Sequence, residues 1–406
     1  MPFPRPSGRE VFTAAALVSI TLLSFGGGIT SAMGSGSTPA DWTWSLPLHF
    51  PTPFIPADNP MSEAKFQLGR NLFYDKSLSG NGTTSCSSCH IQSLAFTDGK
   101  AVSTGSTGPH TPRSSMPIAN SVYYATLTWA RPDLTSLELQ AQVPMFGTNP
   151  IELGITGNEQ TVLQRFQNNP QYVTQFAAAF PKEANPITFA NISKAIATFE
   201  RGILSGESKY DQYLKGQATL TASELNGHNI FNSEKGECDH CHAGFNFTEQ
   251  VNYKGIKEVT TLFHNTGLYD VDGKGAYPLA HGAGGVIVGN RGVYDKTHRP
   301  ADMGAFRAPS LRNVGVTGPY MHDGSIATLA EVVATYAAGG RKIPAGKRNA
   351  GDGRLNQFKD SLISRMELSK QDQIDLVAFL QTLTDHNLLT NPRFSNPFAK
   401  GSTNNP

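Results

Sequence analysis

The residues best able to carry chemistry lie in two pentapeptides, Cys86-Ser87-Ser88-Cys89-His90 and Cys238-Asp239-His240-Cys241-His242. Together they use all four cysteines of the 406 residues. C-x-x-C-H is the pattern of covalent c-type haem attachment. Two thiols three positions apart can reach the two vinyl groups along one edge of a porphyrin, and the His that follows sits under the ring as the proximal iron ligand. A zinc site also uses C-x-x-C pairs, but these pairs are far apart and each is followed by His. A thioredoxin-type redox disulfide would account for one pair and leave both histidines unexplained. With no cysteine left over, the runs read as attachment sites for two covalently bound haem c groups, ligated by His90 and His242.

The elements that must position these runs form an internal repeat. Gly69-Arg70-Asn71-Leu72-Phe73 precedes the first run and Gly227-His228-Asn229-Ile230-Phe231 the second. Ser62 caps a helix before the first; Thr221 and Glu224 form a capping box before the second. The shared Gly lets the helix backbone come close to a partner. Downstream, Arg113, Pro117 and Asn120 recur as Arg307, Pro309 and Asn313, followed by helix starts at Ser136-Leu137 and Thr328-Leu329. Each half closes on an amphipathic helix, one through Phe189, Ile192, Ile196, Phe199 and Ile203, the other through Leu376, Leu380 and Leu383 after a cap at Ser369. No alternating run long enough for a strand stands out. The fold class expected is mainly α, with two tandem class I cytochrome c-like domains, each holding one covalent c-type haem, at residues 55–205 and 206–390.

Composition fits this reading. Apolar residues make up 38% and charged residues 16%, with 40 Gly and 26 Pro, as in a loop-rich chain wrapped around large cofactors. The formal net charge of +1 implies no nucleic-acid partner. Arg5 and Arg9 precede an apolar run from Val11 to Phe25, shorter than the ~20 residues of a membrane span, and small residues follow. Residues 1–32 therefore read as a signal peptide, and 33–54 as a flexible lead-in. Residues 391–406 read as a tail. The expected location is the periplasm, with membrane contact only through the signal peptide.

The block Phe306-Arg307-Ala308-Pro309-Ser310-Leu311-Arg312-Asn313-Val314, then Thr317-Gly318-Pro319-Tyr320-Met321-His322-Asp323-Gly324, resembles the bacterial di-haem cytochrome c peroxidases and the related MauG enzymes. The likeness runs over about residues 60–385. It implies that peroxide reacts at the amino-terminal haem and that the carboxy-terminal haem is six-coordinate and relays electrons.

Residue roles follow from the resemblance. Tyr336 matches the sixth ligand of the second haem: the peroxidases carry Met there and MauG-type proteins Tyr. A phenolate favours Fe(III) and higher states where a thioether favours Fe(II), and axial ligands move haem potentials over ~0.8 V. Met321 is the rival ligand. Glu152 matches the catalytic carboxylate, Gln140 and Pro144 the other distal-wall residues, and Trp129 the relay between haems. The family's releasable distal His falls near Ser106 here; either His110 takes that role or the first iron is open, and the open site is preferred. Thr317 and Pro319 match carbonyl donors to an inter-domain calcium, a site weakened by Ser114 where the family has Asn. His240, His322, His49, His264, His281, His298 and His386 are set aside as ligands. The function expected is an exported di-haem peroxidase or oxidase of the MauG-like branch. It would reduce hydrogen peroxide with electrons from a small donor protein (cytochrome c or cupredoxin) or from a residue of a protein substrate. The alternative is a non-catalytic di-haem electron carrier.

Overall fold

The computed structural model describes residues 42–270 and 290–399. The signal segment, the start of the lead-in, His281 and residues 400–406 lie outside them. Helices dominate: α1 (Glu63–Tyr74), α2 (Leu137–Phe146), α3 (Glu159–Gln167), α4 (Pro170–Ala179), α5 (Phe189–Gly202), α6 (Lys209–Leu214), α7 (Ala222–Phe231), α8 (Asp239–His242), α9 (Tyr294–Thr297), α10 (Leu329–Ala337), α11 (Lys370–Gln381) and α12 (His386–Thr390). Among the described residues the strands are β1 (Lys342–Ile343) and β2 (Gly351–Asp352), an antiparallel pair with Lys342 opposite Asp352. None of the described helices is long and apolar enough to cross a membrane.

The helix starts follow local chemistry. Ser62, Ser136, Thr221, Thr328 and Ser369 each accept a backbone N–H in the first turn. Glu224, Glu331 and Asp372 return the bond from the third helical position. Such caps satisfy donors that the helix itself leaves unpaired.

The repeat becomes two matching helix pairs, α1 against α5 and α7 against α11. In each, the glycine is the point of closest approach. A Cβ on Gly69 would lie 1.9 Å from the Ala195 carbonyl oxygen, and one on Gly227 would lie 1.9 Å from that of Asp375. One turn on, Phe73 meets Phe199 at 5.1 Å between ring centroids and Phe231 meets Phe379 at 5.3 Å. All four rings are buried, each contributing about 1.5–3 kcal/mol of apolar transfer.

The asparagines repeat as well. Asn120 (φ 59°) and Asn313 (φ 62°) are left-handed, a conformation Asn tolerates better than most residues. Their backbone N–H groups donate to the carbonyls of Ile203 and Leu383, both at 2.9 Å. Their side-chain oxygens accept from the N–H of Ser205 and Asp385, both at 2.8 Å. Each Asn thus ties the loop beyond an attachment run to the exit of its closing helix.

The end of the chain returns to the first half. Gln92 donates to the carbonyls of Leu388 and Asn391, both at 2.9 Å, and buried Arg70 donates to that of Ser395 at 2.7 Å. Leu388 and Phe394 join the core built on α1, α4 and α5. The boundary read at residue 390 therefore runs through a segment packed on the first half, because the apolar side chains on both sides of it share one core.

Candidate functional site

Each attachment run is folded so that its three chemical groups face one cavity. Residues Cys86–Ser88 form a single 3-10 turn, and the N–H groups of Cys89 and His90 donate to the Cys86 carbonyl at 3.1 and 3.0 Å. The second run forms α8, with the His242 N–H donating to Cys238 at 3.0 Å. His90 Nδ1 donates to the Phe96 carbonyl at 2.8 Å, and His242 Nδ1 to that of Phe247 at 3.2 Å. Both phenylalanines are left-handed, at φ 64° and 50°. A carbonyl on Nδ1 fixes the tautomer and leaves Nε2 with its lone pair free for a metal. Burial also favours the neutral ring in both histidines. None of the four cysteines is paired in a disulfide.

The two cavities differ beyond the runs. The first, about 680 Å³, is lined by Cys86, Cys89 and His90 and, on other walls, by Gln140, Pro144 and Glu152. Burial pushes the Glu152 carboxyl up to about 7. Its loop is held from several sides: Leu153 N–H donates to the Pro144 carbonyl at 2.9 Å, Gly80 N–H to that of Leu153 at 2.8 Å, and Ser106 N–H to that of Glu152 at 2.8 Å. A Cβ on Gly105 would lie 1.8 Å from the Ile151 carbonyl oxygen. The segment around Ser106 thus braces the Glu152 loop. His110 is exposed in that segment, its Nδ1 3.2 Å from the Thr104 hydroxyl, and is not among the residues lining the cavity. Pro144 sits inside α2, where it has no N–H for the Gln140 carbonyl one turn earlier.

The second cavity, about 210 Å³, is lined by Cys238, Cys241 and His242 and by an apolar set that includes Leu329, Val332, Val333 and Leu376. Tyr336, on α10, shares this lining. Burial, then the nearby Cys241 and Cys238 thiols, hold its phenol proton on more tightly than in a free tyrosine. Met321 also lines this cavity, and it packs with Trp129 against the cluster of Phe306 and Ile326.

Trp129 lines both cavities, its indole N–H donating to the Ser114 carbonyl at 2.9 Å. Arg307 also lines both, with its guanidinium 4.2 Å above the Tyr124 ring and its Nε buried without a partner. Arg113 lines the first, donating to Asn290 at 2.8 Å with Asp295 at 3.6 Å. Thr317 and Pro319 lie along the second cavity, but the Ser114 hydroxyl donates to the Met321 carbonyl at 3.1 Å. Two carbonyls and a committed hydroxyl make a poor ligand set for calcium, which takes 6–8 oxygens with carboxylates among them.

Sequence reasoning missed Glu200. It lies on α5 four residues after Ile196, lines the first cavity, and is 6% exposed. It stands on the apolar stripe that marks the helix, but the sequence does not show that this stripe forms a cavity wall.

The haem-attachment residues fit a covalent porphyrin. Each run pairs thiols with a histidine fixed through Nδ1, and each opens on a cavity with a distinct opposite wall. The family model described as di-haem cytochrome c peroxidase matches residues 63–219. The chain is 37% identical over 338 residues to the cytochrome-c peroxidase IdrP1 of Denitromonas iodatirespirans, covering 81% of this chain and 84% of that one. It is 30% identical over 386 residues to the methylamine utilization protein MauG of Methylorubrum extorquens, covering 92% and 96%. A solved structure of a MauG-like protein associated with microbial copper homeostasis is 53% identical, with a TM-score of 0.84, over 88% of this chain and 100% of that one.

Proposed function

The chain belongs to the di-haem cytochrome c peroxidase and MauG family, and from that premise we propose that it is an exported oxidoreductase reducing hydrogen peroxide in the first cavity with electrons relayed from the second. It is an enzyme of the di-haem peroxidase and MauG-like class. In this reading Cys86, Cys89 and His90 hold one haem c, and Cys238, Cys241, His242 and Tyr336 hold the other, in two tandem cytochrome c-like halves. Bound iron porphyrin would supply electron storage and cleavage of the peroxide bond.

The residues around it do the rest. Glu152, kept near neutrality by burial, takes the proton from the inner peroxide oxygen and delivers it to the outer one, a task that needs a group able to exist in both forms near the working pH. Gln140 and Pro144 shape the wall beside it. His110 is not among the residues lining the first cavity, so in this reading the first site stays open to peroxide. Tyr336, an oxygen donor that iron's charge would convert to phenolate, holds the second site toward the oxidised states. Trp129 lies in the wall of both cavities, where its π system links them. The electrons come from a small redox protein, cytochrome c or cupredoxin, or from an oxidisable Trp or Tyr on a partner protein. Copper homeostasis, the setting named for the 53% identical neighbour, is the setting we propose for the partner.

The observation that carries this reading is the pairing of a roomy cavity holding a buried carboxyl with a smaller one containing a tyrosine, joined by a shared tryptophan. The test is a steady-state assay with peroxide and reduced cytochrome c or cupredoxin, alongside the resting ferric spectrum. The expected result is peroxide consumption with one high-spin and one low-spin site. Two low-spin sites and no consumption would favour the non-catalytic electron carrier.

A further inference from the structure

We propose that Glu200 is a second proton-holding residue of the first cavity, supplying a proton for water formation while Glu152 handles the proton of the peroxide itself. This rests on the peroxide-reducing reading above and deepens it. Glu200 lines the same cavity as Glu152 but stands on α5; it is 6% exposed, and its Oε2 is buried without any hydrogen-bond partner.

The charges around it leave it unpaired. Its neighbour Arg201 is engaged by Glu138 through a bidentate pair at 2.7 and 2.8 Å, and Asn59 donates to the same carboxylate at 2.7 Å. From α1, Lys65 donates to Asn59 at 2.9 Å and Arg70 to the Ser395 carbonyl. The other titratable groups of the cavity wall include Cys86, Cys89, His90, Tyr124, Arg113, Arg131, Asp295 and Arg307. Arg131 is bound to Asp133, Arg113 to Asn290, and Arg307 lies over Tyr124. Burying an ionised carboxylate without a partner is strongly disfavoured, so the group keeps its proton. Burial, only partly offset by Arg201, pushes its carboxyl up to about 8, against about 7 for Glu152.

The stoichiometry gives the proton a use. Hydrogen peroxide takes up two electrons and two protons to give two waters. Glu152 moves a proton within the peroxide and so contributes none in net. A neutral Glu200 can release one proton inside the cavity, through water, and recover it from solvent between turnovers. It need not touch the peroxide, and its role is to hold and release charge.

The experiment uses the haem-loaded chain with Glu200→Gln, Glu200→Asp and Glu152→Gln. In the resting protein, infrared spectra over a pH series should show a protonated-carboxyl band that titrates near pH 8 and is missing in Glu200→Gln. With one equivalent of peroxide and two of reduced cytochrome c in weak buffer, an indicator dye should show proton uptake lagging peroxide consumption in the wild type and concurrent with it in Glu200→Gln. That variant should react more slowly below pH 8, with the deficit shrinking as pH rises through 8, where the wild-type carboxyl loses its proton, and with partial rescue by Glu200→Asp. If Glu200→Gln keeps the wild-type pH profile and uptake while Glu152→Gln stops turnover, Glu200 only packs and the proposal fails alone. If Glu152→Gln leaves turnover intact, the parent reading fails first. Should Glu200→Gln not load haem, the wild-type and Glu200→Asp infrared titrations decide: no carboxyl band titrating above pH 7 overturns the proposal.

Discussion

The two halves of the molecule use the same scaffold to build unlike chambers. Behind each attachment run the parts correspond: a glycine-mediated helix crossing, a left-handed Phe receiving the histidine Nδ1 proton, and a left-handed Asn tying the loop to the closing helix. In front, one helix differs in its contents. α2 and α10 both start with Ser/Thr-Leu and both line their cavities at the first, fourth, fifth and eighth helical positions. In the first half these are Leu137, Gln140, Ala141 and Pro144; in the second, Leu329, Val332, Val333 and Tyr336. The position that carries an oxygen donor in the second half therefore carries a proline in the first, which offers no ligand atom. On the proposed reading, the repeat fixes the attachment side, while one register position on a shared helix, Pro144 or Tyr336, sets the contents of the facing wall.

Three substitutions test that difference directly. Glu152→Gln removes the proton shuttle and should lower kcat/KM for peroxide by about 10²–10⁴-fold. Because burial raises the Glu152 carboxyl to about 7, the ionised form that accepts the peroxide proton grows as pH rises through that value. The wild-type rate should climb across pH 7 and the variant should lose the climb. Pro144→Tyr places a phenol at the register of Tyr336. If it occupies the site nine-tenths of the time, apparent peroxide reactivity falls about tenfold, and the high-spin signal of the resting ferric protein gives way to a six-coordinate one. An unchanged spectrum would show that register alone does not set openness. Tyr336→Met should raise the midpoint potential of the second site, within the ~0.8 V range that axial ligands cover, with the first site moving far less. Spectroelectrochemistry reads both, and an unmoved second potential would transfer the ligand role to Met321.

The shared side of the comparison is tested by stability. Gly69→Ala and Gly227→Ala each place a Cβ 1.9 Å from a backbone oxygen of the facing helix. Backbone cannot rotate away, so each should cost about 1–3 kcal/mol, seen as a lower unfolding midpoint in denaturant. The two losses should agree in size. A tolerant Gly227→Ala beside a damaging Gly69→Ala would mean the second helix pair is the looser one.

Much of this duplication was legible in the chain. Gly69 and Gly227, Asn120 and Asn313, and the starts of α2 and α10 are visible as echoes, because a backbone that must approach closely or turn left-handed restricts residue type strongly. Glu152, Gln140 and Trp129 were reached through family likeness, since a loop carboxyl alone carries no periodic signal. What escaped depends on tertiary direction. Glu200 reads as one polar residue beside Phe199 until α5 is seen to form a cavity wall. The return of Leu388 and Phe394 to the first core is a long-range contact with no local mark. The equivalence of Pro144 and Tyr336 needs the lining of both cavities, although the two helix starts needed to count it are present in the sequence.

The smallest effect separates the two helix starts that precede the attachment runs. Thr221 caps α7 in a reciprocal box with Glu224, whereas Ser62 caps α1 through a single bond to Lys65 N–H at 3.2 Å. Ser62 is buried and Thr221 exposed. Losing a cap costs about 0.5–2 kcal/mol, and the loss is greater where water cannot replace the missing acceptor. Ser62→Ala should therefore destabilise more than Thr221→Ala despite the better-formed box at Thr221, with the first near the upper end of that range and the second near the lower. Equal unfolding midpoints for the two variants would show that the second bond of the box offsets the exposure of its cap.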